Sequence, residues 1–159
     1  MKKYWLVKSE PDTFSFYDLK NSKNQTTYWD GVRNYQARNF LRDEMKKGDQ
    51  VLFYHSNSDQ LAVMGVCEVV REGYPDHTQF DPDSNHYDPK ADPNNPTWIM
   101  VDLKFVKEFK SPVTLDAIKS NPKLKNMKLI ARGNRLSVMP VTKEEFDEIE
   151  KMSEPPKSP

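Results

Sequence analysis

The chain has 159 residues, with 24 lysines and arginines against 24 aspartates and glutamates, which fits a single domain able to hold a core without staples. Its zero net charge gives no overall basic signature of nucleic-acid binding. No apolar run approaches the ~20 residues of a membrane-crossing helix, and Lys8 and Glu10 follow the basic start too soon for a secretory signal, so a soluble, intracellular protein is expected.

In chain order, "KYWLVKS" (3–9) reads as a first strand ending at the turn signal Glu10-Pro11. "SFYDLK" (15–20) reads as one helical turn with Ser15 as N-cap. Residues 21–34 are polar and read as loop. From Tyr35, the residues Ala37, Phe40, Leu41 and Met45 recur at helical spacing, with Gly48 expected to close that helix. "QVLFYHS" (50–56) and "QLAVMGVCEVV" (60–70) are apolar at nearly every position, which predicts two strands covered on both faces. Gly65 predicts a bulge in the second, and Cys67 reads as a small buried hydrophobe.

"TWIMVDLKFVKEF" (97–109) alternates, with Ile99, Val101, Leu103 and Phe105 on one side and Asp102 and Lys104 on the other. "TLDAIKS" (114–120) predicts a short helix capped by Thr114, and "LIARGNRLSVMPV" (129–141) a short strand. "TKEEFDEIEKM" (142–152) predicts a helix with a Thr142–Glu145 capping box. A single domain over 1–152 with a disordered Pro/Ser-rich tail, 153–159, is expected. About five strands without βαβ alternation point to an α+β fold, a small mixed barrel capped by short helices.

Several clusters read two ways. Trp29 lies outside any apolar period, in "YWDGVRN" (28–34): it is either a core residue or a stacking platform for a flat ligand. In the second case Asp30 and Asn34 would hydrogen-bond the ligand's edge, and the Arg33 fork would hold a phosphate or carboxylate. "FYHSN" (53–57) sets Tyr54, His55 and Ser56 at a strand end. Neighbouring strand residues point to opposite faces, so a His55–Ser56 catalytic pair is disfavoured. Residues 74–97 hold five Asp and five Pro but one Lys, leaving a mildly basic remainder of 23 basic against 19 acidic residues. Asp81, Asp83 and Asn85 imitate the start of a calcium loop, but His86 stands where the turn glycine belongs and Asp92 where the closing Glu belongs. A proline-stiffened insertion whose aspartates cap turns is the better reading, and His77, Tyr74 and Tyr87 would reach a ligand if it folds over a pocket. "ARGNRLS" (131–137) is either a solvated turn or a phosphate contact. Among nucleotide, metal and thiol signatures, no GxGxxG, Walker, CxxC or HExxH motif occurs.

The stretches "WLVKSEP", "WDGVRNYQARNFLR", "FYHSN", "YPDHTQFD", "HYDP" and "RLSVMPVTKEEF" together resemble the EVE domain family across almost the whole chain. The resemblance implies a PUA-like fold, kinship with YTH, ASCH and SRA-type domains, and non-catalytic reading of a modified base, chiefly modified cytosine in DNA. It needs no cofactor or metal. The implied partner is nucleic acid carrying a modified base, and the implied location is the cytoplasm, or the nucleus in a eukaryote. Trp29 matches an aromatic wall of the YTH pocket, Asp30 its rim, Lys8-Ser9 a strand edge, and Tyr54 to Ser56 a second strand. The expected base pocket is therefore Ser9, Trp29, Asp30, Val32, Asn34, Tyr54, His55 and Ser56, with Lys8, Arg33, Arg38, His77 and Arg132 along the backbone. On this reading Trp29→Ala abolishes binding and spares the fold. An RNA reader, or an enzyme acting on a modified base through His55, are the alternatives.

Overall fold

The computed structural model describes residues 2–154. Six strands form one mixed sheet: β1 (Tyr4–Ser9), β2 (Thr26–Tyr28), β3 (Gln50–His55), β4 (Ala62–Pro75), β5 (Ile99–Thr114) and β6 (Val138–Val141), in the order β2-β5-β4-β3-β1-β6. β1 and β3 run parallel, and the other pairs are antiparallel. Four short helices surround the sheet: α1 (Phe16–Lys20), α2 (Tyr35–Asn39), α3 (Leu115–Ser120) and α4 (Lys143–Met152).

The near-continuous apolar runs do mean two covered faces. Trp5 and Val7 of β1, with Val51 and Phe53 of β3, pack on one side with Phe16, Trp29 and Leu41. Leu6, Leu52 and Tyr54 pack on the other with Ile118, Leu124, Phe146 and Ile149. This is the period-2 alternation of a strand with an apolar residue at each step. Each fully buried large side chain contributes roughly 1.5–3 kcal/mol. The predicted bulge is at Gly65, where the β3–β4 and β4–β5 registers shift. A Cβ there would stand 2.5 Å from the Phe16 ring, so glycine is needed for Phe16 to reach the sheet. Cys67 is fully buried, and burial pushes its thiol pKa up.

Local signals place the helices well. Ser15 and Thr142 each form a complete capping box, and Thr114 accepts the Ala117 N–H. The 35–45 helix differs from expectation: α2 ends at Asn39 and continues as a π-turn over Phe40–Glu44, closed by the Met45 N–H to the Phe40 carbonyl at 2.8 Å. The wider turn still buries Ala37, Leu41 and Met45. Gly48 lies four residues beyond Glu44, in the turn into β3. β2, expected as loop, is a three-residue edge strand on β5. Residues 155–159 of the expected tail lie outside the described residues, whereas Ser153 is buried and caps α4.

The sheet does not close into a barrel. Four register shifts coil the long β4–β5 pair, yet the short edges β2 and β6 do not pair with each other. Tyr28 of β2 and Ser137, next to β6, line one cleft between them, so the unclosed seam is that cleft's mouth.

Candidate functional site

The cleft measures ≈ 670 Å³. The end of β1 supplies Lys8 and Ser9, the turn after it Thr13 and Phe14, and β2 with its exit loop Tyr28 to Val32. His86 enters from the Asp/Pro-rich segment.

Two features of its walls are unusual. Trp29 is only 8% exposed, with the Phe53 and Phe14 rings nearly perpendicular to it at 5.4 and 6.4 Å. Among the described residues its indole N–H nevertheless has no acceptor, and no buried polar side-chain atom is left unpartnered. The N–H therefore keeps some solvent access, and Trp29 lines the cleft. Lys8 is half-buried, makes no ion pair among the described residues, and burial lowers its pKa. An ammonium losing hydration without gaining a partner is an unsatisfied donor.

The rest of the rim is fixed internally. The Ser9 hydroxyl donates to the Phe14 carbonyl, so only its lone pairs remain for a ligand. Asp30 Oδ2 stands 3.6 Å from His86 Nδ1. Below the rim, the fully buried Asp76 carboxylate accepts the Gly31 and Thr78 N–H groups, the Thr78 hydroxyl and the Arg33 guanidinium. Arg33 also donates to the His86 and Val32 carbonyls and to Thr78, and lies 5.4 Å over the Trp98 ring. This knot ties the Trp29 loop to the Asp/Pro-rich segment. That segment is folded around buried Gln79, which bonds Asp76 and Trp98, and Asp88, which accepts the Trp98 indole N–H. Asp81, Asp88 and Asp92 cap their own turns.

Gly31 is where the two segments touch. It has φ +80°, and a Cβ would lie 2.5 Å from His86 Cε1. Gly31→Ala is expected to cost about 1–3 kcal/mol in backbone strain and to push His86 off the rim. Thermal denaturation would register the loss.

Ser9, Trp29, Asp30, Val32 and Lys8 thus meet in the cleft. Other expected site residues lie elsewhere. Asn34 caps α2 by accepting the Ala37 N–H. Tyr54 points into the opposite core, where burial raises its pKa. His55 Nε2 accepts the Phe16 N–H inside the protein. Burial lowers the His55 pKa, with Asp18 opposing weakly, so it serves as a neutral acceptor and not as a base on the cleft. Ser56 holds the sheet end through its N–H to the Ser9 carbonyl. Arg33 is consumed by the Asp76 knot. Arg38 is bound to the Thr97 carbonyl and Asn39. Exposed His77 stands edge-on to Tyr28 at 4.9 Å, outside the cleft wall. Arg132 lines a different cavity.

The cleft also takes in Phe14, Tyr28 and His86, which were not among the expected site residues. Tyr28, 48% exposed, sits on an edge strand too short to show alternation. His86 looked like a failed calcium-loop position because its partner, Gly31, is 55 residues away.

The EVE domain family model matches residues 3–152. Thymocyte nuclear protein 1 of Gallus gallus is 48% identical over 161 residues, covering 91% of this chain and 66% of its own length. The chain therefore spans about two thirds of that relative. Human THYN1, solved in complex with 5-methylcytosine-containing DNA, superposes with a TM-score of 0.92 at 46% identity, over 99% of this chain and 100% of that one. A hypothetical protein from Leishmania major superposes with a TM-score of 0.91 at 47% identity, over 96% and 95%. With the family pattern matched from Lys3 to Met152, the chain belongs to the EVE domain family.

Proposed function

We propose that this protein reads modified cytosine in DNA, without catalysis, by accepting one extruded base into the cleft beside Trp29. The unpartnered donors on its walls, the Trp29 N–H and the Lys8 ammonium, carry this reading. The volume of ≈ 670 Å³ is that of an ordinary small-ligand site. The human relative's complex with 5-methylcytosine-containing DNA supports the ligand class.

The donor pattern suits cytosine. A flipped cytosine turns its carbonyl oxygen and ring nitrogen, both acceptors, toward Trp29 and Lys8. Its N4 amino group, a donor, meets Asp30 and the lone pairs of Ser9. Phe14, Tyr28 and His86 supply ring surface for the base plane, a part that the mostly covered Trp29 face plays only in small measure. The Ser9 hydroxyl donates to a backbone carbonyl and not to a base, which supports binding over hydrolysis.

Extrusion costs a few kcal/mol, and the hydrogen bonds and stacking offset it. A methyl at C5 packed against Val32 and Phe14 adds about 0.8 kcal/mol, a preference of about fourfold. Fluorescence anisotropy on duplexes differing in one 5-methylcytosine is expected to show that preference, and a matched RNA duplex to bind more weakly. Equal affinity for methylated and plain duplexes would remove the reading, and tighter binding to RNA would transfer it to the other nucleic acid.

A further inference from the structure

A second cavity of ≈ 470 Å³ lies beside the first, lined by Asn34, Gln36, Lys128, Arg132, Asn134 and Arg135 among others, with no acidic residue. We propose that it is a phosphate-binding groove for the DNA strand flanking the extruded base. This rests on the reading of the first cleft as the base site.

Position is the first argument. Val32 lines the first cleft and Asn34 the second, while Ser137 lines the first and Leu136 the second. Residues one or two positions apart on two chain segments therefore form a common wall. A nucleotide held on one side leaves its own backbone close to the other.

Charge is the second argument. Arg33, Arg38 and Arg42 are all committed to partners in the protein. Lys128, Arg132 and Arg135 have no side-chain hydrogen bond or ion pair among the described residues, and all three are exposed. Two guanidinium forks and an ammonium around one hollow match phosphate oxygens.

The loop is also built, which separates it from a solvated turn. Asn134 donates to the Lys128 carbonyl at 2.6 Å and accepts the Leu136 N–H at 3.0 Å. Backbone bonds from Ala131 to Lys128 and from Asn134 to Ala131 close it further. These bonds use the polar groups facing inward and leave the cations outward. The ordering entropy of the loop is spent before any ligand arrives.

The test is the salt dependence of binding to a duplex with a single 5-methylcytosine and to its plain counterpart. Each phosphate contact contributes about 0.9 to the slope of log K against log salt. The double variant R132A/R135A is expected to lower the slope by about 1.8 and to weaken both duplexes by the same factor. The control K110A/K119A removes two exposed cations elsewhere and is expected to leave the slope unchanged. An unchanged slope in R132A/R135A overturns the groove, as does an equal drop in the control or a loss of the methylated-to-plain ratio in R132A/R135A. Should the wild type show no methyl preference, the first cleft's reading fails, while the slope comparison still decides the groove.

Discussion

Asp76→Ala is expected to destabilise the protein by about 3 kcal/mol, the low end for removing one partner of a buried ion pair. The carboxylate is fully buried, and Arg33 retains 23% side-chain exposure, which lets water soften its loss. The change also strips the Gly31 and Thr78 N–H groups of their acceptor. A fall in urea midpoint without a change in slope would measure it. Burial by itself would raise the Asp76 pKa, but hydrogen bonds from Thr78, Gly31 and Arg33 hold the carboxyl below the ordinary carboxylate range. Such a group stabilises the fold above its unfolded pKa of ~3.9 and loses that contribution as pH falls through the lower folded value. Wild-type stability should drop in that acid window, and Asp76→Asn should show a shallower drop. A matching acid profile in the variant would mean that Asp76 is not the linked group. Cleft geometry should suffer too, because the knot sets where Gly31 and His86 meet.

Trp29→Ala is expected to cost about 3–5 kcal/mol, against the sequence expectation that the fold would survive it untouched. The ring fills the core between Phe14 and Phe53, so its removal leaves a cavity. Alanine therefore cannot separate binding from folding at this position. Trp29→Phe can: it keeps most of the packing and deletes the solvent-accessible N–H. Its affinity for methylated duplex should fall between about twofold and twelvefold, the worth of one neutral hydrogen bond of ~0.5–1.5 kcal/mol. Trp5 and Trp98 are buried away from the cleft, so any DNA-induced change in tryptophan fluorescence should vanish in the same variant. Full affinity in Trp29→Phe would show that the N–H reads nothing.

The contrast between legible and illegible parts is physical. Caps were legible because Ser15, Thr114 and Thr142 act within three residues. The covered strands were legible because residues 51–55 of β3 and 62–67 of β4 are buried at every position, and Gly65 marked its own bulge. β2 was illegible because three residues show no period. The π-turn keeps the same apolar spacing as a regular helix over so short a run. In the site, chain-local residues from Trp29 to Val32 were legible as a group, and Lys8 and Ser9 through the resemblance. The internal partners of Arg33, Arg38 and His55 were illegible because a polar side chain carries no local sign of whether it faces a ligand or the protein's own backbone. Asp76, which decides Arg33's role, is 43 residues away.

Cys67 leaves the molecule with a useful silence. Its sulfur is sealed in the sheet and held as the unreactive thiol, and the sequence contains no other cysteine. A maleimide dye or nitroxide would therefore attach only where a new thiol is introduced. Lys110→Cys or Lys119→Cys, both exposed and outside the two cavities, would each carry one probe at one known place, ready for distance measurements to labelled DNA.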